Sequence, residues 1–246
     1  MDISSYVLLS HETALRRRMD VTANNLANTS TAGFKREQPV FGEHLERTGP
    51  DAVRGGQTAS FVLDRGAVHD ATAGAFQATG NALDVMVEGA GYLAVEGPDG
   101  ETAYTRAGHL KILPSGDLAT NAGHRVLGEG GRPITVPADQ TGALAIASDG
   151  AVNGAAGPLG RVAVTRLDEA LVDPRGDGLY AGTGGIELAA AETRLRVGGV
   201  EASNVQPIVE TTQMVEILRS YQNSVRMSES LGDMRKRALE RLGRVN

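Results

Sequence analysis

Apolar positions along the first part of the chain recur at helical spacing. Leu8, Leu15, Met19, Thr22 and Leu26 fall on an i, i+7, i+11, i+14, i+18 stripe, with Val7, Ala14 and Val21 beside it. The pattern predicts one amphipathic helix. It then stops abruptly at Asn24-Asn25-Leu26-Ala27-Asn28-Thr29-Ser30-Thr31-Ala32-Gly33-Phe34. Asparagine, threonine, serine and glycine favour turns and local side-chain-to-backbone bonds over continued helix. Asn24, Asn25 and Asn28 are therefore assigned to the stop.

From 36 to 80 the pattern is weak. Pro39, Gly42, Gly49-Pro50, Gly55-Gly56, Gly66 and Gly74 break any helical period. This stretch reads as an extended connector. From 81 to 200 the pattern changes to short apolar runs divided by turns. Asp84–Glu88 precedes a Gly-Ala-Gly turn, and Tyr92–Glu96 pairs back through Gly97-Pro98-Asp99-Gly100 to Thr102–Arg106. His109–Leu113 and Leu118–Asn121 repeat the design around Pro114-Ser115-Gly116-Asp117. Further strand candidates are Arg125–Leu127, Ile134–Val136, Leu144–Ala147, Arg161–Leu167, Ile186–Leu188 and Arg194–Val197. Turns this frequent predict an antiparallel β domain, and the lack of β-helix-β alternation excludes a nucleotide-binding α/β fold.

From 201 to 246 the helical period returns. Asn204 is the expected N-cap and Pro207 suits the first turn. Met214, Leu218, Tyr221, Val225 and Ser228 step by four, three, four and three, the spacing of a coiled-coil seam. Each terminal helix alone would be marginal in water. The predicted class is α+β: helices at 1–35 and 201–246 paired as a coiled-coil-like domain, with the connector and an antiparallel β domain inserted between them. With few large apolar residues per seam, the helices are expected to be loosely held until neighbouring subunits complete them. The candidate assembly interface is Leu8, Leu15, Met19, Leu26, Asn24, Asn25, Asn28, Met214, Leu218, Tyr221 and Val225.

Composition narrows the chemistry. The 246-residue chain has 32 glycines, 4% aromatic residues and no cysteine, which removes disulfides, thiol nucleophiles and thiolate metal sites. A net charge of −6 gives no general affinity for nucleic acid. No apolar run approaches ~18 residues, so no membrane span is expected. Arg16-Arg17-Arg18 interrupts the place where a cleavable leader would carry its apolar core. Of the five histidines, His109 and His124 are the pair that strand pairing brings nearest, without a metal-binding spacing. Asp84, Glu88, Asp99 and Asp117 are the carboxylates a wall-glycan hydrolase would need in a cleft. No cofactor or metal is expected. Two non-enzymatic readings remain, a self-assembling subunit and a chaperone or cap, and only the first needs self-complementary ends.

Three motifs resemble one family. Ala23–Asn28 with Thr31-Ala32-Gly33-Phe34-Lys35 is similar to the N-terminal signature of bacterial flagellar rod, hook and hook-associated proteins. Tyr104-Thr105-Arg106-Ala107-Gly108, Gly116-Asp117-Leu118 and Gly123–Gly128 resemble the β domain shared by the hook and two rod proteins. Ser203-Asn204-Val205 with Met214-Val215 and Arg219-Ser220-Tyr221-Gln222 resembles the family's C-terminal helix, though Leu218-Arg219-Ser220 stands where the family usually has Gln-Arg-Ala. The length and the opening Tyr6-Val7 … Leu15-Arg16-Arg17 resemble the proximal-rod branch, with the distal-rod branch as the alternative. The resemblance implies a structural subunit of the basal-body rod, polymerising helically through its terminal helices into the hollow drive shaft across the periplasm. It implies as partners other copies, other proximal rod subunits, the distal rod protein and the flagellar type III export apparatus, which needs no cleavable leader.

Overall fold

The computed structural model describes residues 3–48, 57–168 and 172–243. The expected turns at Gly49-Pro50 and Gly55-Gly56, and the outermost ends of the terminal segments, lie outside them. N- and C-terminal helices flank a β-rich middle, an α+β chain. It divides into two units. One gathers both helices and residues Glu37–His69; the other takes Asn28–Arg36 and Asp70–Val205.

In the first unit, helix α1 is Ile3–Ala27 and helix α2 is Pro207–Gly243. They run antiparallel, as the order of their cross-contacts shows. Arg235 Nη1 donates to Ser5 Oγ at 2.7 Å, Arg16 Nη2 donates to the Tyr221 hydroxyl at 2.8 Å, and Asn25 Nδ2 reaches Glu210 Oε2 at 3.4 Å. α2 begins at proline, whose missing N–H is harmless in the first turn. Its N-cap is Gln206, whose carbonyl accepts the first helical bond from Glu210 N. Asn204 is not the cap; its side chain is used elsewhere.

Residues 36–80 are not the extended connector that the weak pattern suggests. Strands β1 (Glu37–Thr48) and β2 (Gln57–His69) form one long antiparallel hairpin, with Glu37 opposite His69. The register slips between Pro39 and Phe41, where Pro39 has no N–H to give and Gly66 takes a positive φ of 98°. A lone two-stranded hairpin is marginal in water. This one is tied to α1 by the Arg17–Asp64 ion pair (3.3 Å) and by Ser10 Oγ, which accepts from Val62 N at 3.4 Å.

The second unit is built on a six-stranded antiparallel sheet in the order 172–176, 179–182, 102–105, 92–96, 164–166, 186–187. Its centre is the hairpin that the sequence predicts, with Glu96 paired to Thr102 and Leu93 to Thr105. The second predicted hairpin pairs Leu110 with Thr120. Alternating side chains from these strands and from 126–164 fill one core in which Leu93, Val95, Leu118, Val126, Val152 and Val164 are buried. Two short ladders draw the unit's entering and leaving chain together: 76–78 pairs with 199–201, and 85–87 with 195–197.

Candidate functional site

Within the first unit, α1 faces its partners with the predicted stripe. Leu15 is buried, and Leu8, Met19 and Leu26 are half-buried. Asn25 is the most committed of the asparagines. Its Oδ1 accepts from Glu37 N at 2.8 Å and its Nδ2 donates to Glu37 O at 2.9 Å, so the side chain mimics a backbone partner at the mouth of the hairpin. Asn24 is exposed on the helix surface.

The seam of α2 is rotated by one residue from the predicted one. Glu210, Ile217 and Ser224 are buried at a seven-residue step, with Met214, Tyr221 and Val225 half-buried alongside. Leu218 is 44% exposed and Ser228 is exposed. The pattern misleads because the inward face carries polar residues with partners. Glu210 meets Asn25, and Ser224 Oγ donates to Glu12 Oε1 at 3.4 Å. Apolar Ile208, Val215 and Leu218 are left facing outward. The guanidinium of Arg16 also lies over the Tyr221 ring, 5.5 Å from its centroid.

Within the second unit, the three motifs that carry the family resemblance converge. Lys35 Nζ donates to Glu201 Oε1 at 2.5 Å and to Thr72 O at 2.8 Å. Arg106 Nη1 donates to Glu201 Oε2 at 3.2 Å, and its Nη2 to Gly89 O at 2.7 Å, while its guanidinium lies 4.9 Å from the Tyr92 ring centroid. Gly74 N adds a third donor to Glu201 at 2.9 Å. All three charged side chains are at least 96% buried. Burial pushes the Lys35 ammonium below its ordinary pKa, against the opposing pull of Glu201. One carboxylate shared between two cations is the arrangement that lets such groups leave water.

Backbone contacts complete the clamp. Gly33 N donates to Glu201 O at 2.8 Å. Gly33 has φ +73°, and a Cβ there would overlap the Arg106 backbone. At Gly108 a Cβ would overlap the Val85 carbonyl oxygen. Asn204 Oδ1 accepts from Arg36 N at 2.7 Å, and its Nδ2 donates to Asp70 O (2.9 Å) and Thr72 O (3.0 Å). Asn28 closes the turn ahead of this clamp, accepting from Thr31 N and Thr31 Oγ1. Lys35 and Arg106 lie inside the motifs; Glu201, which joins them, carries no sequence signal of its own.

The carboxylates considered for catalysis do structural work or face solvent. Asp84 is buried, accepting from Thr79 Oγ1 at 2.6 Å and Asn81 Nδ2 at 2.9 Å, with His109 Nδ1 at 3.1 Å. Asp117 accepts from Ser115 and Thr135 across a turn, and Glu88 and Asp99 are exposed. His109 and His124 line one cleft with Thr105, Thr120 and Asp177. Among the described residues, no three metal-capable side chains gather in one place, and no helix is long and apolar enough to cross a membrane.

Comparison with known proteins agrees along the whole chain. Residues 6–35 match the family described as flagella basal body rod protein, and residues 86–154 the flagellar hook protein FlgE/F/G D1 domain. Residues 196–241 match the flagellar basal body rod FlgEFG protein C-terminal family. The chain is 35% identical to the flagellar basal-body rod protein FlgF of Caulobacter vibrioides, over 100% of both chains. It is 33% identical to that of Salmonella typhimurium over 97% of each. It is 30% identical to the flagellar basal-body rod protein FlgG of Bacillus subtilis, over 90% of this chain and 92% of that one.

Proposed function

This chain belongs to the flagellar basal-body rod protein family, and on that premise we propose that it is a subunit of the proximal rod that polymerises through its terminal helices. It is a structural protein of the flagellar basal body rather than an enzyme, a reading supported by relatives that are named flagellar basal-body rod proteins. Matches at the higher identity, and over the full length, are to FlgF rather than FlgG, which favours the proximal place.

The observation that carries the reading is where apolar side chains meet water. Tyr6, Leu9, Val215, Leu218, Met227 and Leu242 are all more than 40% exposed, and all are on the terminal helices. Large apolar side chains left in water along both helices are available for contact with neighbouring subunits. In the assembled rod, α1 and α2 pair as a coiled-coil-like element and pack against the same helices of neighbouring subunits. The interface is Leu8, Leu15, Met19 and Leu26 with Met214, Leu218, Tyr221 and Val225, and Asn24, Asn25 and Asn28 end α1 where the chain turns away from it. The neighbours are other copies, other proximal rod proteins and the distal rod protein. Export by the flagellar type III apparatus then delivers the chain to the periplasm.

Deletion of Val209–Asn246 tests the role. The shortened chain is expected to keep the β-sheet circular dichroism of the second unit, to be absent from isolated basal bodies and to leave cells non-motile. Incorporation of the shortened chain with normal motility would contradict the role.

A further inference from the structure

The chain passes between its two units four times, at Ala27–Asn28, Arg36–Glu37, His69–Asp70 and Val205–Gln206. Boundaries between units ordinarily fall in loose linkers that few contacts cross. Here each unit draws its own ends of these passages onto one asparagine side chain. In the first unit it is Asn25, just before the first passage. Its amide binds both the N–H and the carbonyl of Glu37 and reaches the Glu210 carboxylate, and Glu37 is paired with His69. In the second unit it is Asn204, just before the last passage. Its Oδ1 accepts from Arg36 N, and its Nδ2 donates to the carbonyls of Asp70 and Thr72. Main-chain bonds run alongside, from Asp70 N to Arg36 O at 2.8 Å and from Asn204 N to Phe34 O at 3.4 Å. The remaining end, at Asn28, is tied in through Thr31 N to Asn28 O and Gly33 N to Glu201 O.

We propose that Asn25 and Asn204 are positioning residues of a joint that makes the four passages take up load together. Strands tied to one another share a force; untied strands are loaded one at a time, the shortest first. An amide suits both places because it is neutral and can donate and accept at once, so it joins a main-chain N–H to a carbonyl on a different segment. Force on the terminal helices of a subunit built into a turning shaft then enters the second unit through residues 28, 36, 70 and 205 at once. This rests on the reading that the subunit is a rod component, and adds where that component carries its load.

Trypsin reads the joint directly, because Arg36–Glu37 is one of the passages and its peptide bond must open locally to be cut. Full-length Asn204→Ala and Asn25→Ala proteins are expected to release the fragment beginning at Glu37 about fivefold faster than wild type or more, with unchanged circular dichroism. Asn204→Asp, which keeps the acceptor and loses both donors, should behave as Asn204→Ala. The control is Asn81→Ala, whose amide bonds Asp84 Oδ1 at 2.9 Å and none of the tied ends; it should be cut at the wild-type rate. In cells, the Asn204→Ala and Asn25→Ala subunits should reach basal bodies in wild-type amount, yet swimming should lose speed more steeply than wild type as the medium is made more viscous. Wild-type cutting at Arg36 in both variants overturns the joint. So does cutting spread evenly along the chain, which would assign the asparagines to the fold as a whole. Faster cutting at Arg36 with wild-type swimming at every viscosity overturns the sharing of load, as does failure of these variants to reach basal bodies when Asn81→Ala does. Absence of the wild-type chain from basal bodies overturns the rod reading and with it the load, whatever trypsin shows.

Discussion

The two units use apolar side chains in opposite ways. In the second, the hairpins and short ladders bury Leu93, Val95, Leu118 and Val152 completely, and Ile186 is its exposed large hydrophobic side chain among the described residues. In the first, Leu15, Val21, Ala59 and Ile217 are the buried hydrophobic side chains among the described residues, serving helices of 25 and 37 residues. Each buried large side chain contributes about 1.5–3 kcal/mol, while ordering each residue's backbone costs about 1–2 kcal/mol. The second unit holds itself together. The first keeps much of its apolar surface exposed among the described residues, where a neighbour in the proposed assembly would cover it. A subunit that is to be built into a shaft gains from this division: one part is finished before assembly, and the other is completed by it.

The largest expected effect comes from breaking the clamp. Glu201→Ala leaves Lys35 and Arg106 buried without their shared carboxylate and should destabilise the second unit by about 3–5 kcal/mol. Denaturant unfolding followed by sheet circular dichroism measures it, and a change below about 1 kcal/mol would show that the clamp is not what finishes this unit.

The next effect separates the inner and outer faces of α2. Ile217→Ala should cost about 2–4 kcal/mol in the first unit, because it empties a buried site. Leu218→Ala should cost about 0.5 kcal/mol or less in the lone subunit, yet impair incorporation into basal bodies. Equal effects of the two substitutions on helix melting would erase the distinction between seam and outer face.

The smallest effect is acidic. Hydrogen bonds from the Thr72 hydroxyl and backbone hold the Asp70 carboxyl below its ordinary range. Its folded value lies below its unfolded value, so its contribution is present above the usual carboxylate range, near pH 4, and fades as pH falls further. Asp70→Asn should remove this dependence. Melting curves of the two proteins should differ by only a few degrees at pH 7 and converge as pH falls well below the usual carboxylate range.

What could be read from the chain divides along the same line as the molecule. Tyr92–Glu96, Thr102–Thr105 and Leu110–Thr120 alternate around proline- and glycine-marked turns, so their pairing was legible. Val172–Gly176 was not, because it is an outer strand whose Asp173, Pro174 and Arg175 need no core. The β1–β2 hairpin was hidden for a related reason. Its apolar residues Leu45, Leu63 and Val68 remain exposed, so no alternation between core and solvent marks it. In α2 the period was legible but its phase was not, since Glu210 and Ser224 face inward and apolar side chains face out. The clamp was half legible. Lys35 and Arg106 stand in recognisable motifs, but nothing near Glu201 marks it as the group between them.

Hydrogen exchange on the full-length subunit, free and then incorporated in rods, tests the central claim most directly. In the free subunit, amides in the core strands 92–96, 118–120 and 164–166 should be protected by the stability of the whole unit, and amides of α1 and α2 should exchange much faster. On incorporation, protection should rise along both helices and change little in the core strands. Equal protection of helices and core strands in the free subunit, unchanged in the rod, would contradict the account.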